Sequence, residues 1–130
     1  MDPLFIAAII NVESKFSPVA TSRKGAIGLM QILPSTAEEI AKELNMDYLN
    51  VDELYEPEKN IKIGFYYVSK LEKKFNGNIT LALAAYNVGL AKATEWQDYK
   101  ETKEFVNKVI KTYNRFKFIQ KLKRTLQVRD

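Results

Sequence analysis

Apolar positions along this chain recur mostly at three- and four-residue spacing, the period of a helix face. Asp2-Pro3 reads as a helix start, since Asp caps the first amides and Pro fits the first turn. The apolar run that follows predicts a helix from about residue 3 to Glu13. Pro18 disfavours a helical Ser17 and sets the limit of that helix. Pro18, Gly25, Gly28 and Pro34 make 16–34 a loop-rich segment, with a short helix or strand around Ile27–Ile32. Ser35-Thr36-Ala37-Glu38 has the form of a capping box and predicts a helix to about Leu44. Residues 45–57 read as turns closed by Pro57. Ile61, Phe65, Val68, Leu71 and Phe75 predict an amphipathic helix over 58–75, stopped by Asn76-Gly77. An Ala- and Leu-rich stretch predicts a buried helix over 79–87. Phe105, Val109, Tyr113 and Phe116 lie on one stripe of a last helix over 101–125. No convincing β-alternation appears, so the expected fold is mainly α.

Composition narrows the chemistry. The chain has 130 residues, the size of one domain. It contains no His and no Cys. That excludes Ser-His and Cys-His catalysis, the usual zinc ligands and any disulfide. The net charge of +4 is unevenly placed. Residues 111–130 hold seven Lys/Arg and one acid, whereas 1–110 hold thirteen Lys/Arg and fifteen acids. A basic end of this kind favours anionic polymers or surfaces. No stretch approaches the roughly 20 apolar residues of a membrane span. Leu4–Val12 resembles the apolar part of a secretion signal in composition only. No basic segment precedes it and no small-residue cleavage site follows, so it reads as a mature helix.

Three blocks carry candidate chemistry. Glu13 ends an apolar helix. Burial and the negative end of the helix dipole both disfavour its charged form and raise its pKa. Such a carboxyl can protonate a leaving group near neutral pH, although a solvated Glu at a helix end satisfies the same local pattern. The second block is Ser22-Arg-Lys-Gly25-Ala26-Ile27-Gly28-Leu29-Met30-Gln31. Its paired glycines suit close backbone approach, and Ser22 and Gln31 offer hydrogen bonds to a sugar; a tight turn with a buried, satisfied Gln is the plainer alternative. The third is Ala84-Ala85-Tyr86-Asn87-Val88-Gly89. Tyr86 and Asn87 combine a flat apolar face with polar groups, as a sugar cleft requires, while Asn87 and Gly89 equally suit a helix C-cap.

Taken in order, these blocks resemble a family. Glu13-Ser14, Ser22, Gly25-Ala26-x-Gly28-Leu29-Met30-Gln31, Pro34-x-Thr36-Ala37, Pro57-x-x-Asn60-Ile61-x-x-Gly64 and Ala84-Ala85-Tyr86-Asn87-x-Gly89 are similar to the soluble lytic transglycosylase catalytic domain over about residues 2–113. The resemblance implies a lysozyme-like α fold, with 114–130 as a basic helical end of the same domain. It implies cleavage of the bond between N-acetylmuramic acid and N-acetylglucosamine in peptidoglycan, with a 1,6-anhydro product and no cofactor or metal. It makes Glu13 the sole catalytic carboxylate. Ser22, Gln31, Tyr86 and Asn87 become substrate-binding residues, and Gly28 and Met30 residues that shape the cleft. The family's domain usually has one more helix before the position of Asp2.

Most glycoside hydrolases use two carboxyl groups. Here the next acid after Glu13 is Glu38, and only distant acids such as Asp52 or Glu56 are left to fold back into the cleft. A goose-type lysozyme-like hydrolase and a non-catalytic wall-binding module are the alternatives. Nucleic acid is not an expected partner. The expected state is a monomer in the periplasm or cell envelope. Its basic end is expected to touch anionic wall polymer or a membrane surface.

Overall fold

Asp2 and Pro3 begin the first helix as the sequence predicts. The Leu4 amide donates to Asp2 Oδ1 at 2.9 Å, and Pro3 occupies the first turn. The computed structural model describes residues 1–47 and 50–126. Five α-helices follow in chain order: α1 (Pro3–Ser14), α2 (Pro34–Glu43), α3 (Pro57–Lys74), α4 (Ile79–Val88) and α5 (Lys100–Thr125). Short 3₁₀ segments lie at Val51–Tyr55 and Leu90–Asp98. No strand occurs among the described residues. Only isolated bridges, Thr21 with Ile27 and Ile27 with Ile32, form in the loop after α1.

Three local expectations are corrected. The Ser35–Glu38 capping box does not form. Leu33 caps α2 without a side-chain bond and Pro34 takes the first turn, so the helix begins ahead of Ser35. A capping box forms instead at Asn50, in a stretch expected to be turns: its side chain accepts from Asp52 N, and Glu53 accepts from Asn50 N. The apolar stripe of α3 is also rotated. Its buried face is Asn60, Ile63, Gly64, Val68 and Leu71, while Phe65 is exposed. Apolar counting misses this face because an amide and a glycine are part of it. Residues 48, 49 and 127–130, which include part of the expected turns and the tip of the basic end, lie outside the described residues.

The core forms where α5 crosses α1 and α4. Phe5 and Ile9 of α1, Leu83 and Ala84 of α4, and Val106 and Val109 of α5 are fully or nearly fully withdrawn from water. α3 packs on α4 and also contacts α2. This scaffold leaves the C-terminal ends of α1 and α4 beside the start of α5. Residues of the loop 15–33 border the same junction.

Candidate active site

α1 stops abruptly after Glu13 and Ser14 because Lys15 and Phe16 take left-handed backbone conformations (φ 51° and 62°). The buried Ser14 hydroxyl donates to the Leu29 carbonyl at 2.7 Å, with the Ile10 carbonyl at 3.1 Å. Ser14 thus ties the loop to the helix end that presents Glu13.

The loop is held from below by Asn60, which is fully buried on α3. Its Oδ1 accepts from Met30 N at 2.8 Å, and its Nδ2 donates to the carbonyls of Ile27 (2.9 Å) and Leu54 (2.8 Å). One amide thus serves the Met30 amide and the Leu54 carbonyl, and adds a second bond to the Ile27 carbonyl, which also accepts from Ile32 N. Gly28 (φ +79°) sits against this amide. A Cβ there would collide with Asn60 Nδ2 and lie 2.6 Å from the Leu54 carbonyl. Gly64 makes the equivalent room for Met30, whose sulfur would collide with an added Cβ.

The result is an open cleft of about 850 Å³. Glu13 lines it from α1, Ser22, Arg23, Lys24 and Gln31 from the loop, and Tyr67 from α3. Tyr86 and Asn87 enter from α4, Lys92 and Tyr99 from the segment that follows, and Glu101 and Thr102 from α5. Five residues singled out from sequence, Glu13, Ser22, Gln31, Tyr86 and Asn87, therefore meet in one cavity although 74 positions separate the first from the last. Gly28 and Met30 do not line it. Both are buried behind the loop, and the Met30 side chain is wholly enclosed against Gly64. They let the loop backbone lie close to α3.

Glu13 is half-buried, and among the described residues it has no hydrogen-bond or ion-pair partner. Burial, followed by the negative charge of Glu101, pushes its pKa to about 7. It can therefore hold a proton near neutrality and release it, as a general acid that must later act as base requires. Tyr86 donates its hydroxyl to the Met30 carbonyl, stacks on Phe105 (6.2 Å between centroids) and meets Tyr67 at 5.4 Å. Burial, and then the nearby Glu13, raises its phenol well above the ordinary range, so Tyr86 stays a neutral donor.

The remaining polar groups are oriented by local bonds. Gln31 takes a left-handed conformation (φ 52°) and its Nε2 donates to the carbonyls of Gly28 and Ala20 at 3.0 and 3.2 Å. That arrangement leaves Gln31 Oε1 as the acceptor available to a ligand. Ser22 Oγ accepts from Ala26 N at 3.0 Å, and Thr102 donates to Asn87 Oδ1 at 2.8 Å. The distant acids Asp52 and Glu56 do not reach the cleft; Glu56 lies 3.5 Å from Lys59 instead. Glu101 does reach it. No sequence signal points to this, because Glu101 reads as an ordinary acid in the first turn of a helix.

A helical domain with one half-buried, proton-holding carboxyl in an open groove has the lysozyme-like design. The chain belongs to the transglycosylase SLT domain family, whose model matches residues 1–110. It is 40% identical over 93 residues to the soluble lytic murein transglycosylase of Salmonella typhimurium, covering 71% of this chain and 14% of that protein. It is 33% identical over 114 residues to the transglycosylase of Enterobacteria phage PRD1, covering 88% of this chain and 38% of that protein. Among solved structures, the 70 kDa soluble lytic transglycosylase of Escherichia coli superposes with a TM-score of 0.86 at 28% identity, over 92% of this chain and 22% of that one. An inactive glutamate-to-glutamine mutant of lytic transglycosylase Slt from Pseudomonas aeruginosa superposes with a TM-score of 0.81 at 32% identity, over 87% and 21%. The chain thus spans only a small part of the length of its bacterial relatives.

Proposed function

We propose that this domain is a peptidoglycan lytic transglycosylase that cleaves the bond between N-acetylmuramic acid and N-acetylglucosamine without water. The observation that carries the reading is Glu13, a carboxyl with its pKa near 7 that lines the cleft. Family membership and the names of the relatives support it. In the reaction, the protonated Glu13 gives its proton to the glycosidic oxygen and the C1–O4 bond breaks. The muramic acid N-acetyl group stabilises the positive charge at C1. Glu13, now a carboxylate, takes the proton of that sugar's 6-hydroxyl as O6 bonds to C1. The proton balance is zero, and the product is a 1,6-anhydro end. Ser22, Gln31, Tyr86 and Asn87 position the sugars in this scheme. A domain acting on such a substrate works in the bacterial envelope.

One observation favours a second reading. Glu101 brings another carboxylate to the same cleft, and a hydrolase uses such a group to direct water. Digestion of purified peptidoglycan separates the two, because an anhydro product is lighter than a hydrolytic one by one water. Anhydro products from the parent, and none from Glu13→Gln, are expected. Hydrated products would establish the hydrolase, and an active Glu13→Gln variant would remove Glu13 from the chemistry.

A further inference from the structure

α5 continues well past the core. Its inward face ends with Val109, Thr112, Tyr113 and Phe116. Beyond Phe116, every residue to Leu126 is exposed. Helical spacing alone allows a packed end in which Phe116, Ile119 and Leu122 share one buried stripe. The structure divides them: Phe116 packs on the core, whereas Ile119 and Leu122 are 46% and 45% exposed. They join Phe118 (65%) and Leu126 (62%) in a second apolar stripe. At 3.6 residues per turn, 118, 122 and 126 stack one turn above another with 119 alongside, roughly a third of a turn round from the core-facing side. Lys121 borders this stripe on the Phe118 side, Lys123 borders it on the Ile119 side and Arg115 continues it one turn earlier, and from Phe105 to Leu126 the helix carries no acid.

We propose that this end of α5 lies on an anionic lipid surface. An apolar stripe bordered by cations is the pattern of a helix that rests in the headgroup boundary. Both halves of the pattern are needed to choose the partner. Glycan and wall polymers would engage the cations and could stack on Phe118, but gain little from covering the aliphatic Ile119, Leu122 and Leu126. A second copy would cover the apolar stripe but bring the same six cations at 111–126 against their like. An anionic bilayer satisfies both. The contact is superficial: among the described residues, no helix is long and apolar enough to cross a membrane. It would hold the cleft close to a membrane face without taking part in the chemistry.

Cosedimentation with vesicles tests the proposal on the intact chain. Vesicles containing phosphatidylglycerol should bind it, and pure phosphatidylcholine should bind it far more weakly. Arg115→Gln/Lys121→Gln should weaken binding by about 25-fold, at about fivefold per cation near an anionic surface. Phe118→Ser/Leu122→Ser should weaken it by more than about tenfold, because the apolar contribution is lost. Both variants should retain the parent's circular dichroism, since the replaced side chains are solvent-facing. Equal binding to both vesicle types, or no binding, overturns the proposal. So does an apolar variant that binds like the parent. Binding to purified sacculi but not to vesicles would assign the segment to wall polymer. A concentration-dependent dimer abolished by Phe118→Ser/Leu122→Ser would assign it to self-association.

Discussion

The hydroxyl of Tyr86 on α4 donates to the backbone carbonyl of Met30, the residue next to Gln31. With Asn60 holding the Met30 amide at 2.8 Å, both backbone polar groups of Met30 are fixed by side chains from different helices. Tyr86→Phe keeps the ring against Phe105 and Tyr67 but leaves the carbonyl without its donor. The expected cost is about 1–2 kcal/mol of stability, read by chemical denaturation. Cleavage should fall as well, because Met30, the neighbour of Gln31, is then held by a side chain through its amide alone. Wild-type stability and activity in Tyr86→Phe would show that the bond does not position the loop.

Glu13 makes the fold pH-sensitive in a defined direction. Its pKa rises from an ordinary 4.5 to about 7 on folding, chiefly through burial. The native state therefore holds the proton more tightly than the unfolded chain. The associated stability is fully present below about pH 4.5 and is lost as pH rises through about 7. The shift corresponds to about 3 kcal/mol. Glu13→Gln removes the titration, so it should melt higher than the parent at pH 8 and close to it at pH 4. Equal differences at the two pH values would contradict a raised Glu13 pKa.

Glu101 supplies the second cause of that raised pKa. Glu101→Gln should lower the Glu13 pKa and move the alkaline limb of kcat/KM to lower pH. At pH 8 and low salt the expected loss is about threefold, the effect of one charge acting through partly solvated space. Because screening weakens such an effect, the gap between variant and parent should narrow in high salt. A loss independent of pH and salt would mean that Glu101 acts by contact with substrate or water instead.

The residues that share the cleft are more legible in the sequence than the residues that support them. Glu13, Gln31, Tyr86 and Asn87 stand out because each is a polar or aromatic group in an apolar setting, and Ser22 because it is a hydroxyl in a turn. Asn60 lies within a matched motif, but no local pattern reveals that its amide serves Met30, Ile27 and Leu54 from another helix. Gly28 and Met30 are ambiguous in sequence for the complementary reason. A glycine that lets backbone approach a ligand and one that lets backbone approach a helix look alike in sequence. Helix positions are legible from periodicity, while the start of α2 is not, since Pro34 and Ser35 offer competing starts one residue apart.

The approach of Met30 to Gly64 gives the most direct test of that support. Met30 is wholly buried, and a Cβ on Gly64 would collide with its sulfur and lie 2.8 Å from its terminal methyl. Met30 must shift to admit that methyl, and it does so among buried neighbours. Gly64→Ala should cost about 1–3 kcal/mol by overpacking. Met30→Ala should cost about 2–5 kcal/mol by leaving a cavity. Together the two changes should relieve each other, because the methyl added at position 64 enters the space that Met30 vacates. The double variant should then be more stable than the sum of the single losses by at least about 1 kcal/mol, beyond what independent sites show. Activity separates packing from positioning. If the close approach sets the height of the loop, Gly64→Ala should lower kcat/KM at temperatures where the variant is still fully folded, and Met30→Ala in the same chain should restore part of it. Additive stabilities with no restored activity would show that the loop is held by the Asn60 and Tyr86 bonds alone.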